Sequence, residues 1–134
     1  MKIKSEQEMI EAGKAMAANV QGVIELVGDV GAGKTTFVRG LAEGLGIKES
    51  VTSPSFTISK SYACPDGRTL MHYDFYRLNE PGLMLDELEE SLKNENNIIV
   101  IEWSDSIKEL LPKKHIIINI KYNDDDSREL EVLR

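Results

Sequence analysis

Apolar positions along this chain switch between two spacings, and the switches mark out its elements. Met9, Ala12, Met16 and Val20 recur at helical spacing near one face. Ser5 and Glu8 stand just ahead of them with the Ser-x-x-Glu spacing of a capping box, so a helix is predicted to begin there and run through AGKAMAANV. VIELVG, 23–28, is a short apolar run ending in glycine and reads as a buried strand. Lys34 to Leu45 reads as a second helix, with Gly46 as its stop signal. VTSPSFT, 51–57, reads as a loop. TISKSYA and TLMHYDFY flank the turn CPDGR and form a predicted hairpin. LMLDELEESLKN, 83–94, returns to helical spacing, and NIIVIE, 97–102, is the cleanest buried strand in the chain. KHIIINIKY and RELEVLR, separated by NDDDS, make a second hairpin. This alternation predicts an α/β fold, a mixed sheet flanked by helices with antiparallel hairpins added.

Composition narrows the class. With 134 residues, 41% hydrophobic and 29% charged, the chain suits one soluble globular domain spanning 1–134. No apolar run has the length of a membrane helix, and MKIKSEQEM lacks the apolar core of a signal peptide. One cysteine, Cys64, excludes an intramolecular disulfide framework, so a cytoplasmic protein is expected. A net charge of −7 with scattered basic residues argues against direct binding of free nucleic acid, DNA included.

The segment GDVGAGKTTF changes the picture. Gly28, Gly33, Lys34 and Thr35 fit G-x-x-x-x-G-K-[ST], placed between a strand and a helix as a phosphate-binding loop requires. Gly31 and Gly33 tolerate positive φ and allow close approach of an anion. The next helix aims its orphan N–H groups and partial positive charge at the phosphates. Lys34 reaches the β and γ phosphates, the Thr35 hydroxyl is placed to ligate Mg²⁺, and Thr36 serves the α phosphate. Such a site needs a carboxylate at the end of a neighbouring strand, and Asp74 and Glu102 both end strands. Glu102 is assigned to the metal, directly or through water; Asp74 is assigned to the attacking water or the metal's outer shell, with exchange of the two roles left open. Lys34, Asp74 and Glu102 are thus the expected catalytic groups.

The hydroxyls Thr52, Ser53, Ser55 and Thr57 either sense the γ phosphate, as a switch loop does, or belong to a solvated connection. Arg39 and Arg77 are expected to pair with surface acids more than with phosphate. Trp103 reads as core, His72 and His115 as strand residues outside any metal cluster, and Cys64 as inert or merely exposed in a turn.

Taken in order, GDVGAGKTTFVRG, VTSPSFTI, HYDFYRL and IEW resemble the TsaE (YjeE) family of small bacterial P-loop ATPases over nearly the whole chain. Ser55 stands where a threonine is commoner, which keeps the hydroxyl. The resemblance implies ATP hydrolysis supporting threonylcarbamoyladenosine synthesis in tRNA, with TsaD-like and TsaB-like partners gripping the tRNA. It places Asp29, Val30, Gly31, Ala32, Gly33, Lys34, Thr35 and Thr36 on the nucleotide, Thr35 and Glu102 on Mg²⁺, Asp74 near the nucleotide, Trp103 on the tryptophan beside the glutamate and Glu6 near the adenine. No guanine-reading N-K-x-D segment is present, which favours ATP. Two other functions share these features: a small-molecule P-loop kinase, and a nucleotide-gated binding module with little hydrolysis.

Overall fold

The computed structural model describes residues 1–29, 31–52, 59–75 and 83–133. Seven strands appear among them: β1 (Lys2–Ile3), β2 (Gly22–Val27), β3 (Ser59–Ala63), β4 (Thr69–Asp74), β5 (Asn97–Glu102), β6 (Ile116–Tyr122) and β7 (Arg128–Leu133). They form one mixed sheet in the order β1-β7-β6-β2-β5-β4-β3. The strands with the purest apolar runs take the centre, as burial on both faces demands: β2 pairs in parallel with β5 and β6, and β4 pairs in parallel with β5. The two predicted hairpins, β3–β4 and β6–β7, supply the antiparallel flanks.

Side-chain alternation divides the core. Ile24, Leu26, Leu70, Ile98, Val100 and Ile118 project to one side and meet α1 (Glu6–Ala17) and α2 (Lys34–Gly44). Val23, Tyr73, Ile99 and Ile101 project to the other, with Phe75, Ile107 and Leu88 of α3 (Leu83–Leu92). A fully buried side chain of this size contributes about 1.5–3 kcal/mol, so both layers are needed. The helices α1 and α2 touch backbone to backbone. A Cβ on Gly40 would stand 2.1 Å from the Ile10 carbonyl oxygen, and one on Gly13 would stand 2.3 Å from that of Phe37.

Most predicted boundaries hold within the described residues, and the departures have local causes. Ser5 caps α1 as its spacing predicted, accepting from the Glu8 N–H at 3.1 Å. The helix stops at Ala17 instead of continuing to Val20, because the Asn19 N–H turns back to Met16 O; Val20 is buried all the same. Similarly, α3 ends at Leu92, where the Lys93 and Asn94 N–H groups bond three residues back. Strand β1 was not predicted: its two residues carry no periodicity and gain their place only by pairing with β7. Cys64, expected to be inert or exposed, is 6% exposed, and burial pushes its thiol pKa up.

Candidate active site

The loop after β2 has the features its composition predicts. Gly31 and Gly33 have φ of 81° and 108°, a region that costs an L side chain strain. The Ala32 N–H closes the turn on Asp29 O at 3.0 Å. Gly33 is the N-cap of the eleven-residue α2; no side chain caps that end, and its first turn holds no acid. The partial positive charge of the helix start therefore faces the loop without a counter-charge from the helix's own first turn.

Lys34, the first residue of α2, is buried. Its Nζ donates to Gly28 O at 2.6 Å, lies 3.8 Å from Glu102 Oε1, and sits 3.9 Å from the centre of the Trp103 ring. Burial pushes the amine below the ordinary lysine pKa, opposed by the nearby charges of Glu102, Asp74 and Asp29.

The carboxylates come from the strands beside it. Glu102 ends β5, paired in register with Leu26 of β2 on one side and with Asp74 of β4 on the other. The period of two in a strand turns Glu102, Asp74 and His72 toward the same face as α2. His72 is fully buried and its Nε2 donates to Glu102 Oε2 at 2.5 Å; its Nδ1 is buried without a hydrogen-bond partner among the described residues. The sequence assigned His72 to a strand and to no site. The spacing HYD already placed it on the face of Asp74, but its neighbour became visible only with the register of β4 against β5.

Around this centre lie the other predicted groups. Thr35 and Thr36 follow Lys34 in the first turn of α2, half-buried. Glu6 starts α1 across a cavity of about 350 Å³ that is also lined by Met9, Gly31, Gly33 and Thr36, and its carboxylate is 3.7 Å from Arg39. Arg39 also donates to Val51 O at 3.3 Å, so it pairs with a surface acid and a carbonyl, as expected. Thr52 accepts from Lys60 Nζ at 2.6 Å. Val30, Ser53, Ser55, Thr57 and Arg77 lie outside the described residues.

A second polar cluster went unpredicted. Glu25, in the middle of β2, points to the opposite face, where it is 5% exposed. It accepts hydrogen bonds from Ser104 Oγ and from His115 Nε2, the latter at 2.9 Å, with Lys108 Nζ at 3.9 Å. Burial is the largest single influence and raises the Glu25 pKa, but the bonds from Ser104 and His115 together with the charges of Lys108 and His115 outweigh it and leave the group below the ordinary glutamate value. A cleft of about 510 Å³ runs from Gly28 and Lys34 past Trp103 to Glu25 and Lys108. Trp103 packs against the α3-side core, as expected, yet also presents its ring to Lys34 and adopts left-handed backbone angles, φ 57° and ψ 57°.

The whole arrangement has known counterparts. Residues 3–130 match the family model described as "Threonylcarbamoyl adenosine biosynthesis protein TsaE". The tRNA threonylcarbamoyladenosine biosynthesis protein TsaE of Haemophilus influenzae is 38% identical over 115 residues, covering 83% of this chain and 69% of that protein. Its namesake in Bacillus subtilis is 45% identical over 111 residues, 81% of this chain and 66% of that protein, and the one in Rickettsia bellii is 39% identical over 130 residues, 94% and 88%. The crystal structure of Bacillus subtilis YdiB superposes with a TM-score of 0.79 at 39% identity, over 97% of this chain and 80% of that one. The chain belongs to the TsaE family of threonylcarbamoyladenosine biosynthesis proteins.

Proposed function

We propose that this chain is a Mg²⁺-dependent ATP-binding protein and ATPase that supports the threonylcarbamoyladenosine modification of tRNA in the cytoplasm, working with TsaD-like and TsaB-like proteins that handle the tRNA. The observation that carries the nucleotide half is the pairing of an uncapped helix start with a buried lysine held 3.8 Å from a buried strand-end glutamate. An anion at that helix start satisfies its N–H groups and offsets the burial of Lys34. The tRNA half rests on the family to which the chain belongs. The partners come from the family resemblance. A net charge of −7 suits a subunit that leaves the RNA backbone to others.

The residues fit both ATP and its metal. Lys34 would bind the β and γ phosphates, and the backbone from Asp29 to Thr36 would cradle them, Val30 included. Glu6, at the rim of the cavity beside the loop, would stand near the adenine. Thr35 and Glu102 would hold Mg²⁺. No group of three His, Cys, Asp or Glu that could hold a metal occurs among the described residues, and Mg²⁺ shared with phosphates needs none, since one or two protein oxygens suffice. When bound, the ion neutralises charge on the transferred phosphoryl group. Asp74, beside Glu102 in register, would orient the attacking water. His72 holds the Glu102 carboxylate in one orientation.

Titration with Mg-ATP, followed by turnover assays alone and with TsaD and TsaB added, tests this directly. Saturable binding and faster hydrolysis with partners are expected, and Lys34→Ala should lower turnover about 100-fold, the cost of removing one preorganised charge-stabilising donor. Wild-type protein that ignores Mg-ATP would overturn the nucleotide half. Normal threonylcarbamoyladenosine levels in cells lacking the chain would overturn the tRNA half.

A further inference from the structure

Trp103 occupies a backbone conformation that a bulky L residue adopts only when its surroundings force it. The chain is anchored on both sides of it by long-range bonds. On the N-terminal side, the Glu102 carboxylate accepts a hydrogen bond from His72 Nε2, thirty residues earlier in the chain. On the C-terminal side, Ser104 donates its hydroxyl to Glu25, seventy-nine residues earlier in the chain. Ser104 also opens a short 3₁₀ turn, Ser104–Ser106, closed by the Ile107 N–H on Ser104 O at 2.9 Å. The clamp continues outward: Glu25 accepts from His115 Nε2, and His115 Nδ1 lies 2.7 Å from Pro112 O, tying the far end of the 104–115 segment to the same carboxylate.

A carboxylate is a costly choice at this position. Its strand neighbours Val23, Ile24 and Leu26 are buried and apolar, and an apolar residue would avoid the loss of hydration. What the charge supplies is a strong acceptor for the Ser104 hydroxyl on this face of the sheet.

We infer that Glu25, acting through Ser104, is a positioning residue that fixes Trp103 over the Lys34 amine and so sets the resting place of the loop lysine. The bearing of this on nucleotide binding rests on the function proposed above; the positioning itself does not. It belongs to the face of β2 opposite the phosphate loop, so the glycine–lysine motif does not contain it.

Trp103 is the only tryptophan, so its fluorescence reads the contact without a label. Acrylamide quenching of the full chain without nucleotide is measured for wild type, Ser104→Ala, Glu25→Leu and Glu25→Gln. Glutamine can still accept from Ser104 and donate to His115. Ser104→Ala and Glu25→Leu should raise the quenching constant at least about twofold, the population ratio at the weak end of cation–π contacts, while Glu25→Gln stays near wild type. In a Lys34→Met background the Ser104→Ala effect should vanish, because the partner cation is gone. Equal quenching in wild type and Ser104→Ala, or an undiminished effect without Lys34, would overturn the inference. Ser104→Ala removes a single oxygen and carries the test even if Glu25→Leu does not fold. If wild type fails to bind Mg-ATP in a parallel titration, the proposed function falls, and the quenching contrasts still decide this point.

Discussion

Two buried glutamates flank the same central strands, each bonded to a histidine, and they differ in how completely they are satisfied. Glu25 faces the α3 side and is saturated: Ser104 and His115 occupy its oxygens, and the other ring nitrogen of His115 meets a carbonyl. Glu102 faces the α2 side and keeps slack. Its lysine stands 3.8 Å away, beyond hydrogen-bond length, and the Nδ1 of its histidine has no hydrogen-bond partner among the described residues. A closed polar network of the first kind stiffens a segment; an open one has capacity for a further group. The contrast separates a residue with both carboxylate oxygens hydrogen-bonded from one whose second oxygen meets its lysine only at ion-pair distance.

The contrast breaks first at catalysis. Glu102→Gln should lower ATP turnover about 100-fold while changing Mg-ATP affinity much less, whereas Glu25→Gln should stay within about threefold of wild type, since it alters no group aimed at charge developing in the transition state. Steady-state kinetics on both variants decide it, and equal losses would erase the distinction.

The next effect is on the α1–α2 contact that supports the Glu102 face. Gly40→Ala should destabilise the fold by about 3 kcal/mol, since a methyl group 2.1 Å from an α1 carbonyl forces backbone apart. Denaturant unfolding measures this, and a stability loss within error would mean that the helices separate freely.

Smaller again is His72→Leu, which leaves Glu102 Oε2 without its donor and should cost about 1–2 kcal/mol. His72→Gln, with a nitrogen near the place of Nε2, should recover part of it in the same unfolding assay.

The smallest effect is a pH dependence of the saturated pair. The Glu25 pKa is lowered in the folded chain from 4.5, so its contribution is complete above that value and is lost as the pH falls through the depressed one. Relative to Glu25→Gln, the urea midpoint of wild type should therefore hold steady in mild acid and decline below pH 4.5; among the described residues, His115 and Lys108 are the titratable groups facing the carboxylate. A constant difference across that range would show that the pair adds nothing.

Much of this architecture was legible from residues that act locally. The Ser5 cap, the glycines of the loop and the β-branched run of β5 each work through their own backbone or nearest neighbours, so spacing alone exposed them. Lys34, Asp74 and Glu102 were legible as strand-end and loop groups for the same reason. What stayed hidden depends on register and strand order. His72 meets Glu102 only because β4 lies beside β5, and Glu25 meets Ser104 and His115 only because β2 sits between β5 and β6. Strand β1 exists solely through β7. None of these pairings has a signature in a single stretch of chain.

The glycine crossing of α1 and α2 has a mechanical corollary. With no side chains between them at Gly13 and Gly40, neither rod can roll without dragging the other. A tilt of α2 large enough to re-aim its leading turn would press its backbone against α1 at these two points, so the pair behaves as one stiff unit behind the glycine loop.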